Sequence, residues 1–385
     1  MNRTLPFQMS GKLIFGKGAL EELPEAVRRI GAGKAFVVTD PGLVRAGIAE
    51  KLLGILSEAD VSTALYDKVE PDPRIEVVWD CHEAARSSQC EVLIGLGGGS
   101  ALDTAKVTAV LLGNSGDLQD YFGIDNIPHR GLPTVMIPTT AGTGSEVTPI
   151  AVLSDKQAQL KKGIVSDHLY ADVALIDPEL AVTLPPQVTA YTGVDALTHA
   201  IEAYTNKFAH PFIDTFALAA IQLIGRYLKR AVAEGSDLEA RYHMAMASLY
   251  GGMCLGSVNT AAVHAMAYPL GGMFDVPHGM ANALLLPYVM QFNLESCPER
   301  FARIADALGR PNGEFAAAPS AAASVDAVRE LCSEVGIVSR LGDLDIPEES
   351  IDQMAAGALK VTRLMKNNPR AMTLQDVKTI YRAAY

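Results

Sequence analysis

The sequence predicts two domains: an N-terminal α/β domain on a parallel sheet and an all-α C-terminal domain. Three observations carry this. Strand-like and helix-like segments alternate through the first half of the chain, whereas strand signals nearly vanish beyond Tyr191. A strand runs into three glycines, Gly97–Gly99, and opens a helix there, an arrangement suited to a phosphate group. At 385 residues the chain also exceeds what one compact core usually supports.

The alternation reads as follows. KAFVVTD (Lys34–Asp40), VSTALYD, EVLIGLGGGS (Glu91–Ser100) and TVMIPTT (Thr134–Thr140) are strands. GIAEKLLGILSEAD, RIEVVWDCHEAARSSQ and ALDTAKVTAVLLGN have helical periodicity and lie between them. Such spacing argues for a parallel sheet with helices on both faces. Pro178, Pro185 and Pro186 punctuate the change of character, which gives domains of 1–186 and 187–385. Helical patterns follow at 188–206, 211–233, 237–256, 258–270, 279–293, 296–308, 321–336, 348–358 and 373–383, most of them separated by Gly, Pro or Asn.

Composition excludes several functions. Hydrophobic residues make up 49% and charged residues 20%, a globular rather than a disordered balance. The net charge of −12, with no Lys/Arg block, argues against a nucleic-acid surface. No run of 18 uncharged apolar residues is present to span a membrane, and the N-terminus lacks the apolar core of a signal peptide. The five cysteines are odd in number and contain no CxxC, so a reducing cytoplasm is expected.

In GLGGGSALDTAK (Gly95–Lys106) the glycines admit a phosphate without Cβ interference, and the helix N-terminus offers free N–H groups. Ser100 and Asp103 have the spacing of a capping box. The other reading is a tight turn closing a strand–helix unit; Ser100 stands where the strict dinucleotide fingerprint has its third glycine. IPTTAGTGSEVT (Ile137–Thr148) is a second hydroxyl- and glycine-rich loop at a strand end, where ligands of open sheets sit. Asp40 ends an earlier strand. A carboxylate there accepts from a ribose 2′-OH and repels a 2′-phosphate, favouring NAD over NADP; otherwise Asp40 is a turn residue before Pro41-Gly42.

In GVDALTHAIEAY (Gly193–Tyr204), Asp195 and His199 lie one turn apart on one helix face. A buried carboxylate is costly unless paired or metal-bound. His264, in AAVHAMAYPLGG, and His278, in VPHGMANALLLP, are the histidines that stand in comparably apolar surroundings, where a satisfied core histidine is the alternative. His82, His129, His168, His210 and His243 are expected at the surface. One carboxylate and three imidazoles suit a borderline divalent ion; Fe²⁺ expands its coordination more readily than Zn²⁺.

GGGSALDTAK, PTTAGTGSEVT, GVDALTHAIEAY, the AVHAMAYPLGG and VPHG pair and LMKNNPR resemble the iron-containing (group III) alcohol dehydrogenases, in order and across essentially the whole chain. The resemblance implies a dehydroquinate-synthase-like architecture with NAD and a divalent metal between the domains, Fe²⁺ first and Zn²⁺ as the alternative. It implies Asp195, His199, His264 and His278 as metal ligands. The cofactor contacts it implies are Asp40, Gly98, Gly99, Ser100, Asp103, Thr139, Thr140, Thr143 and Lys161, with Lys162 as a neighbouring alternative. The implied chemistry is that of a lactaldehyde or propanediol oxidoreductase: a small primary alcohol or diol is interconverted with its aldehyde by a homo-oligomer, a dimer or larger.

One position departs from the family. Many relatives carry a histidine four residues after the third ligand, a candidate proton relay; here it is Tyr268, whose phenol is a poorer relay at neutral pH. His264 and Tyr268 are therefore the residues placed nearest the chemistry, with simple packing as the alternative for Tyr268. Ile150, Leu255 and Tyr268 are assigned to the substrate pocket, and the two aliphatic side chains point to short aliphatic substrates. Competing readings are a maleylacetate-reductase-like or glycerol-dehydrogenase-like oxidoreductase, a dehydroquinate-synthase-like lyase, and an NAD- or metal-sensing binding protein. The lyase needs more basic residues around a substrate phosphate than these motifs show.

Overall fold

The computed structural model of the chain describes residues 4–5, 7–156, 160–310 and 317–385. They form two compact units. One comprises Met9–Thr140 and Gly144–Thr183; the other comprises Leu184–Tyr385 with Ala141–Thr143 and the described residues before Met9. The division thus falls just before the proline pair Pro185-Pro186, and a short piece of the hydroxyl-rich loop belongs to the second unit.

The first unit is built on nine strands: β1 (Lys12–Phe15), β2 (Lys34–Val38), β3 (Ser62–Tyr66), β4 (Val92–Gly97), β5 (Gly123–Ile124), β6 (Thr134–Pro138), β7 (Ile150–Asp155), β8 (Leu160–Val165) and β9 (Val173–Ile176). Six of them form a sheet in the order β1-β9-β6-β4-β2-β3, every pairing parallel. Its helices are α1 (Leu23–Ile30), α2 (Pro41–Arg45), α3 (Ile48–Glu58), α4 (Ile75–Ser88), α5 (Gly99–Gly113) and α6 (Leu118–Tyr121). Side chains alternate across the sheet. Val37 and Ile94 meet Leu23, Val27, Leu52 and Leu56 on one face, whereas Phe36 and Leu93 meet Cys81, Ala85, Leu102 and Ala105 on the other. Both faces are covered, which is why these strands read as continuous apolar runs. β5, β7 and β8 make a separate small sheet, with β7 and β8 antiparallel. The sequence reading did not anticipate this hairpin.

The second unit is helical: α7 (Pro186–Thr205), α8 (Pro211–Ala233), α9 (Leu238–Val258), α10 (Ala262–Phe274), α11 (His278–Asn293), α12 (Pro298–Ala307), α13 (Ala317–Glu334), α14 (Ile351–Lys360), α15 (Thr362–Met365) and α16 (Leu374–Ala383). From Gly193 to Thr205 every residue of α7 is buried. A helix enclosed on all sides is a central one, and any polar group on it must find a partner inside the protein. Two helices carry internal prolines, Pro269 in α10 and Pro287 in α11, and neither stops there. The expected helix at 258–270 instead begins at Ala262, because Asn259 adopts a left-handed φ of 60° and breaks the run. No helix among the described residues is long and apolar enough to cross a membrane.

Candidate active site

In the α/β unit, a candidate ligand site lies at the carboxyl ends of β2 and β4. From β2 the chain moves to β3 on one side; from β4 it moves to β6 on the other, so a topological switch point lies between them, where open α/β sheets leave a crevice for ligands. Asp40 follows β2 and Gly97–Gly99 end β4 and begin α5. Gly97 has φ +151°, and a Cβ there would stand 2.7 Å from that of Ala101, so glycine is required. Gly98 is different: its φ of −75° suits any residue, and a Cβ would meet only Thr140, at 3.4 Å. What its missing side chain leaves is room beside the Thr140 hydroxyl and the first turn of α5.

The capping box expected here does not form. Gly98 is the N-cap of α5 and no side chain caps it. Ser100 Oγ instead accepts the backbone N–H of Asp72 at 3.1 Å, leaving its own proton to donate. Asp103 turns away from the helix start: Ser145 Oγ donates to its Oδ1 at 2.5 Å and the N–H of Val152 to Oδ2 at 2.9 Å. One turn on, the fully buried Lys106 donates to the carbonyls of Ser145 at 3.0 Å and Ile150 at 2.5 Å. Asp103 and Lys106 therefore hold the Ser145–Ile150 segment against α5. Burial pushes the neighbouring Glu146 carboxyl up to about 7.

Asp40 takes the turn position expected of it before Pro41-Gly42. Its Oδ1 caps α2, accepting from the N–H groups of Gly42 at 2.7 Å and Leu43 at 3.2 Å. Lys161, on β8, is buried and pairs with Asp72 at 2.7 Å, so it stands beside the residue that bonds Ser100. Lys162 points elsewhere, to Asp155 at 2.8 Å. Thr139 is buried after β6 and Thr140 half-buried, whereas Thr143 belongs to the helical unit.

In the helical unit, a second group of candidate residues is carried by α7, α10 and α11. Ligand atoms of Asp195, His199 and His264, all buried, lie within 4.8 Å of one another. The His199 and His264 rings stack at 4.7 Å. His278 is the first residue of α11; its Nε2 lies 3.9 Å from Asp195 Oδ1 and its side chain is 26% exposed, at the rim of the group. The structure thus gathers three of the four expected ligands tightly, with the fourth beside them.

The hydrogen bonds fix what these rings offer. His199 Nδ1 is 3.3 Å from the Gly142 carbonyl, which can only accept, so Nδ1 carries the proton and Nε2 the lone pair. His264 Nδ1 donates to Glu202 Oε2 at 2.6 Å. Its Nε2 is buried, has no hydrogen-bond partner and lies 3.7 Å from Asp195 Oδ1, beyond bonding reach. Burial pushes the Asp195 carboxyl up, but the imidazoles of His199, His278 and His264, with Asn282, more than offset this and hold it below the usual carboxylate range. Asn282 Nδ2 donates to Asp195 Oδ1 at 2.7 Å and lies 3.2 Å from His278 Nε2. Burial lowers the pKa of His199, more than Asp195 beside it raises it.

A divalent cation fits this arrangement. Two buried carboxylates, Asp195 and Glu202, flank imidazoles that turn lone pairs inward, and one of those nitrogens is orphaned. Leaving such a group bare costs a few kcal/mol, which a cation with two positive charges removes. No cysteine belongs to the group, consistent with a site that keeps exchangeable positions rather than a closed structural one.

Tyr268 lies one turn after His264 on α10, is 5% exposed, and places its ring 6.4 Å from that of His278. Ile150 opens β7, and Leu255 is buried on α9. His210, expected at the surface, is buried at the start of α8, edge-on to Phe212. Two site residues escaped the sequence reading. Glu202 is three residues after His199 and Asn282 four after His278; each shares a helix face with a ligand, and that spacing was the available signal.

Comparison with known proteins identifies the family of the chain. Residues 10–178 match the family model described as iron-containing alcohol dehydrogenase, and residues 189–385 match the C-terminal model of the Fe-containing alcohol dehydrogenase family. Long-chain-alcohol dehydrogenase 1 of Geobacillus thermodenitrificans is 42% identical over 96% of this chain and 94% of its own. NAD-dependent methanol dehydrogenase of Bacillus methanolicus is 37% identical over 96% of this chain and 97% of its own. A crystal structure of 1,3-propanediol oxidoreductase superposes with a TM-score of 0.97 at 40% identity, covering all of both chains. The chain belongs to the iron-containing alcohol dehydrogenase family and is an oxidoreductase of that kind.

Proposed function

We propose that this protein interconverts a small primary alcohol or diol and its aldehyde with NAD, using a divalent ion, iron, held by Asp195, His199, His264 and His278. The observation that carries the reading is the buried group of inward lone pairs around Asp195, with His264 Nε2 left without a partner. When bound, the ion supplies a Lewis acid for the alcohol oxygen and NAD accepts the hydride of the carbinol carbon, with one proton released.

The chain's own residues bind and orient. Asp40 takes the ribose hydroxyl of NAD. The first turn of α5, with Gly98, Gly99 and the free proton of Ser100, takes the pyrophosphate. Thr139, Thr140, Thr143 and Lys161 complete the cofactor site, and Asp103 acts from behind through Ser145 and Val152. Tyr268, whose ring neighbours that of His278, contacts the substrate and supports release of its proton. Ile150 and Leu255 give an aliphatic lining that suits short alcohols. Five unpaired thiols suit a reducing cytoplasm, and the working form is a homo-oligomer.

The test is an NAD/NADH-linked assay of C2–C6 alcohols, diols and aldehydes with protein reconstituted separately with Fe²⁺ and Zn²⁺. Turnover that is absent with every alcohol, or independent of added metal, would refute the reading.

A further inference from the structure

Glu202 is not one of the residues that surround the group of ligand atoms; it stands behind it. It lies on α7 at the far end of the run that carries Asp195 and His199, and is 4% exposed. Its carboxylate accepts three hydrogen bonds. Oε2 receives Nδ1–H of His264 at 2.6 Å and the backbone N–H of Ala261 at 2.9 Å. Oε1 receives the N–H of Val263 at 2.6 Å.

Those two backbone groups are the start of α10. The N-cap of that helix is Ala261, which has no side chain able to cap, and a helix start leaves N–H groups that must be satisfied from elsewhere. Glu202 satisfies them across the helix interface. Two N–H groups and an imidazole N–H converge on the two oxygens of one side chain, which accept all three, so the His264 proton is held on Nδ1.

We propose that Glu202 is a positioning residue for the metal centre: it fixes the tautomer and ring orientation of His264 and ties α10 to α7. This rests on the metal reading given above. The consequence is geometric. Asp195 and His199 ride on α7, whereas His264 rides on α10, so three ligands from two helices form one site only while those helices keep their register. Glu202 bonds the second helix and its ligand with the same carboxylate. It also leaves His264 Nε2 as the nitrogen with the lone pair, facing Asp195. Carboxylates that hold a ligating imidazole in this way typically contribute 10- to 100-fold in metal affinity.

The test uses Co²⁺ uptake by the full chain, read by competition against a chelator and by visible d–d absorption, with NAD binding measured separately. Glu202→Gln keeps the shape but turns an amide donor toward groups that also donate. Its Co²⁺ Kd is expected to weaken by about 10- to 100-fold, with altered d–d bands and unchanged NAD affinity. A variant that merely unfolds more easily, yet keeps wild-type Co²⁺ affinity and spectrum, would reduce Glu202 to a structural cap and overturn the proposal. Wild-type protein that takes up no Co²⁺ would instead overturn the metal reading itself. Should Glu202→Gln fail to fold, histidine-labelled, zinc-loaded wild type decides by ¹⁵N NMR, with His264 assigned from its absence in His264→Ala. A proton on Nδ1 is expected; zinc on Nδ1 with the proton on Nε2 would overturn the proposal.

Discussion

Replacing Asp40 with glycine separates two jobs of one carboxylate. The first is local: Oδ1 caps α2 through the N–H groups of Gly42 at 2.7 Å and Leu43 at 3.2 Å. Glycine is itself an acceptable N-cap, so losing the acid there costs only a few tenths of a kcal/mol. The second, which follows from the proposed NAD site, is discrimination between NAD and NADP. Removing a charged acceptor for the ribose hydroxyl weakens NAD, and removing a like charge relieves NADP; together these amount to about 1–3 kcal/mol, or roughly five- to 150-fold. The cap acts equally on both cofactors and cancels in their ratio. The assay is therefore kcat/KM for NAD and for NADP at one fixed alcohol, with thermal unfolding as a check on the fold. Wild type should strongly prefer NAD, and Asp40→Gly should shift the ratio by that factor while unfolding almost unchanged. Wild type that uses both cofactors equally, or a ratio that moves less than twofold, would refute the reasoning.

Three further predictions concern Tyr268 and Glu146. Tyr268→Phe should lower kcat/KM about tenfold with metal content unchanged, and wild-type kinetics would show that the ring only packs. Tyr268→His should raise the rate below pH 8 if proton release limits turnover; a pH–rate profile overlaying wild type removes the relay role. Glu146, buried, ionises at about 7 in the folded chain against 4.5 when exposed, so its favourable contribution is present below about 4.5 and lost as pH rises through 7. That window amounts to about 3 kcal/mol. Glu146→Gln escapes it, so the Tm difference between variant and wild type should grow from pH 5 to pH 8, and a flat difference would contradict the burial argument.

Much of this was legible in the sequence because periodicity reports burial. The strands β2, β4 and β6 are near-continuous apolar runs because helices cover both faces of their sheet, whereas the edge strand β3 is more exposed. Asp195 and His199 stood out as a polar pair one turn apart in an enclosed helix. What failed was partner choice over long range. Ser100 and Asp103 have capping-box spacing, yet Asp72 and Ser145 outcompete the local arrangement. The hairpin of β7 and β8 was hidden because Lys161 and Lys162 break its apolar pattern; both find acids, Asp72 and Asp155. Glu202 escaped notice because its partners, Ala261, Val263 and His264, are about 60 residues away in sequence.

The most direct measurement is the metal-to-protein ratio of anaerobically reconstituted wild type and His264→Ala, taken with turnover and NAD binding on the same samples. One iron per chain and alcohol oxidation are expected for wild type. The variant should lose both while folding and binding NAD normally. An unchanged metal ratio in His264→Ala, or turnover that survives its loss, would contradict the proposed centre.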